Sequence, residues 1–325
     1  MEDFNPKAWA SNAHLQSIFA SLRWRALGKN PMVDRAQKVI FRADNDARLL
    51  GWHSPQPRGG KGLVLLIHGW EGSSDSTYML CTGRYLFTRG YSILRLNLRD
   101  HGESHALNEG MFHSVLIEEV MDVCRQAAGL AEGRPYIIAG FSLGANFALR
   151  IALRYAADPI AGLRQIVSIS PVLDPHKATL MIDGGSAIYR GYFLKKWKRS
   201  LRKKQALFPG KYDFTDLLKM KSCMEITRMI VPHYTPFRDH LEYFSHYTLL
   251  GPVFRDLKIP TLIITAEDDP VIDARDFFHL QGNGNLKVSI QKHGGHCGFL
   301  DPFPFGCWYE REIFKVLTAL ENSSP

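Results

Sequence analysis

Residues 137–146 read Ile137-Ile138-Ala139-Gly140-Phe141-Ser142-Leu143-Gly144-Ala145-Asn146, and the rest of the chain is organised around them. The apolar residues Tyr136–Ala139 predict a short strand, and the run from Leu143 to Tyr155 predicts a helix. Between them stands Gly140-Phe141-Ser142-Leu143-Gly144, a match to G-x-S-x-G. A serine on such a strand-to-helix turn is held on a tight bend, with its hydroxyl presented above the sheet. Side chains at the flanking glycine positions would collide with the neighbouring strand and helix. The helix start leaves backbone N–H groups free beside Ser142, where they can meet developing negative charge. The five-residue pattern by itself also fits a glycine-bracketed serine in an ordinary loop. The strand before it and the helix after it are what give it chemical meaning.

Upstream, Leu63-Val64-Leu65-Leu66-Ile67 is a continuous apolar run short enough for a strand buried on both faces, as parallel sheets require. It ends in His68-Gly69-Trp70-Glu71-Gly72-Ser73-Ser74. A glycine loop at the carboxyl end of a central strand is where a doubly wound sheet places ligand contacts. The backbone N–H groups of Leu143 and Trp70 are therefore the candidate oxyanion donors, the alternative for Trp70 being a plain strand-to-helix turn. A helix is expected over Asp75–Arg89, a strand over Ser92–Asn97, and a helix over His113–Leu130. His101, in the loop Arg99–Ser104, reads as a loop-ordering side chain rather than a base. Two alternating segments, Gln37–Ala43 and Arg48–Ser54, flank Asp44-Asn45-Asp46 and predict a hairpin. Further strands are expected at Arg164–Ser170, Ile259–Thr265 and Leu286–Gln291, a helix around Arg275–Leu280, and a closing amphipathic helix at Trp308–Glu321. The pattern is α/β: a mostly parallel, eight-stranded sheet with helices on both faces.

The alternation stops between residues 175 and 257, where aromatic and basic residues crowd together. This stretch is expected to form a mainly helical cap inserted between two sheet strands, above Ser142. The organisation is then an arm at 1–35, a first core segment at 36–174, the cap at 175–257 and a second core segment at 258–325.

The chain has 325 residues, 45% of them hydrophobic and 22% charged, which is ample for a core. Its five cysteines form no CxxC pair, which points to reduced thiols and a cytoplasmic setting. The N-terminus lacks a long apolar core, so no signal peptide is expected, and no run approaches the ~20 apolar residues that span a bilayer. The net charge of +8 is unevenly placed: residues 175–258 hold 16 Lys plus Arg against 7 Asp plus Glu, leaving −1 for the remainder. Seven cations fall within Lys195–Lys204. They read either as a solvated helix face or as a contact for an anionic partner such as a membrane surface. No motif for nucleic acid accompanies them.

Serine becomes a useful nucleophile near neutral pH only when a base takes its proton, and a histidine does this best when a carboxylate fixes its tautomer. Both partners follow sheet strands, in the order Ser142, Asp269, His296. Asp268 is the rival for the carboxylate and His293 for the base. His293 and His296 lack a third residue at metal-ligand spacing, so no metal is expected, and the chemistry needs no cofactor. The arm Asn12-Ala13-His14-Leu15-Gln16-Ser17-Ile18, the loop 68–74, the stretch 140–146, Ala266-Glu267-Asp268-Asp269-Pro270 and His293-Gly294-Gly295-His296-Cys297-Gly298-Phe299 together resemble the YheT-like branch of the α/β-hydrolase superfamily, which includes the ABHD-type lipases and esterases. That resemblance implies an α/β-hydrolase fold and a carboxylic-ester hydrolase acting on small acyl esters or lipids. An acyltransferase with the same triad, or a non-catalytic binding protein on the same scaffold, are the other readings.

Overall fold

Eight strands form a single sheet: β1 (Gln37–Arg42), β2 (Arg48–Ser54), β3 (Leu63–Ile67), β4 (Ser92–Asn97), β5 (Tyr136–Phe141), β6 (Leu163–Ile169), β7 (Thr261–Ala266) and β8 (Leu286–Gln291). The structure is a computed structural model and describes residues 2–57, 60–301 and 306–322. The strand order is β1-β2-β4-β3-β5-β6-β7-β8. The β1–β2 and β2–β4 pairs are antiparallel, and every other pair is parallel.

Every residue of β3, β5 and β7 is buried, which fits the mainly apolar composition of these strands. Side chains alternate across a strand, so Leu65, Ile67 and Ile138 join a core with helices α4 (Ile117–Leu130) and α5 (Leu143–Arg154). Val64, Leu66, Ile137 and Ala139 join a second core on the opposite face. Helices α3 (Thr77–Phe87) and α11 (Trp308–Asn322) complete that one. Each fully buried Leu or Ile contributes about 1.5–3 kcal/mol. The sheet is thereby sandwiched, and its carboxyl-end loops are held in one place.

Several boundaries differ from the sequence reading by a few residues, and three differences have a clear physical reason. Strand β7 begins after Pro260, which has no N–H to give to the ladder but still accepts from Ile166 N at 3.0 Å. Helix α4 begins at Ile117 rather than His113, because Ser114 is claimed by other elements. Its N–H donates to Tyr243 Oη at 3.0 Å, and its carbonyl accepts from Arg150 Nη2 at 2.6 Å. The arm, to which the sequence reading gives no secondary-structure element, contains α1 (Ala13–Ser21) and the short α2 (Pro31–Asp34). The overlooked signal is Asn12, whose Oδ1 accepts from His14 N at 3.0 Å and Leu15 N at 3.1 Å as an N-cap.

Between β6 and β7 lies the helical insertion, with α6 (Pro175–Gly184), α7 (Ala187–Leu207), α8 (Cys223–Tyr234) and α9 (His240–Ser245). The short α10 (Arg275–Phe278) follows β7. Asp183 binds the start of α8 by accepting from Cys223 N and Met224 N, both at 2.8 Å. Asn146 ties the insertion to the sheet by donating to Val172 O at 2.7 Å and Tyr247 O at 2.8 Å.

The seven cations of Lys195–Lys204, all on α7, do not form one solvated face. Lys204 is fully buried, paired with Asp100 at 2.8 Å, and donates to the carbonyls of Asn108 and Gly110. Lys196 donates to Glu71 O at 3.1 Å, Lys203 to Gly102 O at 3.0 Å, and Lys198 to Met220 O. Part of the charge thus pins α7 onto the loops beneath it. No helix among the described residues is long and apolar enough to cross a membrane.

Candidate active site

Ser142 sits where β5 turns into α5, with φ +53°, a conformation that a non-glycine residue adopts only when its surroundings enforce it. Ser142 N donates to Ile169 O at 2.9 Å, and Asn146 N donates to Ser142 O at 3.1 Å. The bend requires the glycine at 144, since a Cβ there would collide with the carbonyl oxygens of Ile67 and His68. Sheet and helix thus approach closely enough to force the serine outward.

His296 lies in the loop after β8. Its Nε2 is 3.0 Å from Ser142 Oγ, and its Nδ1 is 2.9 Å from Asp269 Oδ2. A carboxylate only accepts, so Nδ1 carries the proton and Nε2 presents a lone pair to the serine hydroxyl. The Asp269 side chain is wholly buried. Its other oxygen accepts from Val271 N at 2.8 Å and Ile272 N at 3.0 Å, which fixes the carboxylate's orientation.

Asp268 is turned elsewhere. It accepts from Gly295 N at 2.8 Å and faces His293 Nδ1 at 3.5 Å, so it shapes the loop that carries His296. The structure brings Ser142, His296 and Asp269 together and leaves Asp268 and His293 as a neighbouring pair. No group of three or more His, Cys, Asp or Glu residues placed to hold a metal occurs among the described residues.

Two residues of the arm motif, given no individual role in the sequence reading, complete this loop. Ser17 Oγ accepts from His296 N at 2.8 Å, while the buried Gln16 donates to Leu300 O and accepts from Leu300 N. A Cβ at Gly295 (φ +55°) would strike Ala13 O, so α1 packs directly on the histidine loop. Cys297 N donates to Ser170 Oγ at 3.1 Å from the β6 side. The quoted arm motif was the available signal, but its partner lies some 280 positions away in the chain.

The loop after β3 is ordered by two buried histidines. His68 accepts from Leu98 N at 3.1 Å through Nε2 and donates to Gly69 O at 2.7 Å through Nδ1. His101 accepts from Glu71 N at 3.1 Å and donates to Arg99 O at 2.7 Å. Burial, joined by His101, holds the His68 imidazole well below its usual range, and burial lowers His101 to about 4. Both are neutral supports of the loop that holds the Trp70 N–H. Gly69 N donates to Tyr78 Oη at 3.0 Å. Among the described residues the N–H groups of Trp70 and Leu143 donate to no other protein group, and both residues border the same cavity as Ser142.

Two cavities meet at Ser142. One of about 130 Å³ lies under the insertion, walled by Trp70, Phe112, Phe193, Trp197 and Phe244. The other, about 310 Å³, lies between the arm and α7, walled by Ile18, Leu22, Tyr189, Tyr192 and His296. Trp70 divides them, with its ring 5.5 Å from Phe193 and 5.0 Å from Trp197. The serine therefore stands between two mainly apolar compartments.

A doubly wound sheet with this serine turn, and with a helical insertion after β6, is an alpha/beta hydrolase architecture. The sequence profile described as the alpha/beta hydrolase family matches residues 64–305, and the chain belongs to that family. It is similar to YheT of Escherichia coli (strain K12), which is named as a candidate esterase. The two are 25% identical, over 92% of this chain and 87% of that protein. It is also similar to the phospholipase ABHD3 of Mus musculus, at 22% identity over 97% of this chain and 77% of that one. Among solved structures, the Pyrococcus furiosus esterase Pf2001 shares the fold, with a TM-score of 0.54 and 16% identity over 87% of this chain and 92% of that chain.

Proposed function

We propose that the protein hydrolyses carboxylic esters through Ser142, His296 and Asp269, by way of an acyl-enzyme. The observation that supports this reading is the continuous chain of hydrogen bonds from Asp269 through His296 to the hydroxyl of Ser142. His296 Nε2 takes the serine proton as Oγ attacks the ester carbonyl, and Asp269 stabilises the imidazolium that forms. The tetrahedral oxygen carries its negative charge toward the N–H groups of Leu143 and Trp70. His296 then passes its proton to the leaving alcohol. Water, activated by the same imidazole, deacylates Ser142 in the reverse sequence. Two apolar compartments on opposite sides of the serine suit an acyl group and the alcohol portion of one substrate.

The test is Ser142→Ala, read with p-nitrophenyl esters from C2 to C16 and with a fluorophosphonate probe. Activity falls to the small residue left when a triad member is lost, about 10³–10⁴ over water, and labelling disappears. Labelling that persists in the variant refutes the assignment. An added alcohol in the same screen distinguishes hydrolysis from acyl transfer by its products.

A further inference from the structure

The 310 Å³ compartment at Ser142 opens, past Gly72, Ser76, Tyr78, Tyr192 and Lys196, into a third cleft of about 480 Å³. Unlike the first two, this cleft is polar, and its charges are unbalanced. Four cations border it: Arg23 from the arm, and Lys196, Arg199 and Lys203 from α7. Lys196 and Lys203 give hydrogen bonds to the uncharged carbonyls of Glu71 and Gly102, so their charge is not cancelled. The acids along the wall are mostly spent elsewhere. Asp75 pairs with Arg95 at 3.0 Å, and Asp100 pairs with the buried Lys204. His101 and His105 are held neutral by burial, at about 4 and about 3. Only the Glu71 carboxyl remains. Burial first, with Asp100 adding, pushes it up to about 8 against the pull of Lys196 and Arg199. Near neutral pH the cleft is therefore a cationic chamber that adjoins an apolar one.

We propose that this cleft, bordered by Arg23, Lys196, Arg199 and Lys203, binds a phosphate-type anionic group carried on the alcohol portion of the acyl ester. The inference rests on the esterase reading of Ser142 and names the substrate class, a phosphorylated acyl ester. The apolar compartments take the hydrocarbon on either side of the ester, and the cations meet the anion beyond it. Arginine and lysine supply the charge-assisted donors that phosphate oxygens accept best. The phosphate can belong to a membrane lipid or to a soluble acylated phosphate ester; the recognising chemistry is the same.

The experiment compares 1-octanoyl glycerol 3-phosphate with 1-octanoyl glycerol, both as monomers at low salt. The phosphorylated ester is expected to show kcat/KM higher by about tenfold, as two or three partly exposed charge contacts would give. The double variant Arg199→Gln, Lys203→Gln abolishes the preference. Arg202→Gln, a change at an exposed cation of the same helix that does not border the cleft, retains it. Glycerol 3-phosphate competing against 1-octanoyl glycerol 3-phosphate indicates a soluble source, and a preference kept in neutral phosphatidylcholine vesicles indicates a lipid one; both support the cleft. Equal rates for the two esters overturn the inference, as does a loss in Arg202→Gln equal to that in the double variant. A preference that arises only on anionic vesicles, and never with monomers, also overturns it, because the cations then read a membrane surface. Should neither ester turn over and Ser142 not label, the esterase reading fails. Calorimetric binding of glycerol 3-phosphate then decides the cleft separately: binding weakened in the double variant upholds it, and no binding refutes it.

Discussion

Replacing Asp269 by Asn changes a single atom type, and the structure dictates where the change acts. Oδ1 accepts from the N–H groups of Val271 and Ile272, so an amide NH₂ cannot occupy that position without facing two donors. The NH₂ is therefore forced into the place of Oδ2, 2.9 Å from His296 Nδ1. There it donates to Nδ1, and the imidazole takes the tautomer with its proton on Nε2. That nitrogen then points a proton, not a lone pair, at Ser142 Oγ. The same swap in the serine-protease template costs about 10⁴ in kcat, equivalent to about 5.5 kcal/mol of barrier. Asp268→Asn keeps an amide oxygen for Gly295 N and weakens only a charge-assisted bond that shapes the loop. A loss of about 1 kcal/mol, less than tenfold in rate, is expected there. The assay is kcat and KM on p-nitrophenyl butyrate for both variants, with melting temperatures to show that each is folded. A ratio near 10³ between them supports the argument. Equal losses, or a larger loss for Asp268→Asn, refute it.

Ser17→Ala removes the acceptor for His296 N and leaves a partly buried donor unsatisfied, so kcat should fall by about fivefold to thirtyfold with KM little changed; a change confined to KM contradicts this positioning role. Lys204→Met strands Asp100 in the interior and should cost about 3–5 kcal/mol in denaturant unfolding, whereas Lys195→Gln, at an exposed position, should stay within about 0.5 kcal/mol. Glu71 has a folded pKa near 8, above the ordinary 4.5, so between those values the folded state holds a proton that the unfolded chain has released. Its side chain therefore costs stability increasingly as pH rises from about 4.5 to about 8. Glu71→Gln should raise the melting temperature little at pH 4 and most at pH 8 and above; a gain independent of pH contradicts the shift.

Much of the fold is legible because it is written in local pattern. Ser92–Asn97 and Leu286–Gln291 alternate or run apolar over a strand's length and have the expected boundaries in the structure. The serine turn is equally local: a strand, two glycines and a helix start within ten residues. The order of Ser142, Asp269 and His296 along the chain was also visible as residue types following strands. What the sequence could not decide depends on groups far apart in the chain. Asp268 and Asp269 are adjacent and chemically identical. Only the packing of β7 against the residue 293–296 loop sends one to Gly295 N and the other to His296. The run Lys195–Lys204 looks uniform as text, yet its helical rotation buries Lys204 against Asp100 and turns Arg202 to solvent. Ser17 and Gln16 sit in a polar arm whose partners lie some 280 residues downstream, beyond the reach of any short-range periodicity. Side-chain alternation fixes which residues are buried, because it follows from backbone geometry alone. Which buried or half-buried polar group meets which partner follows from how the elements pack, and only the tertiary structure decides that.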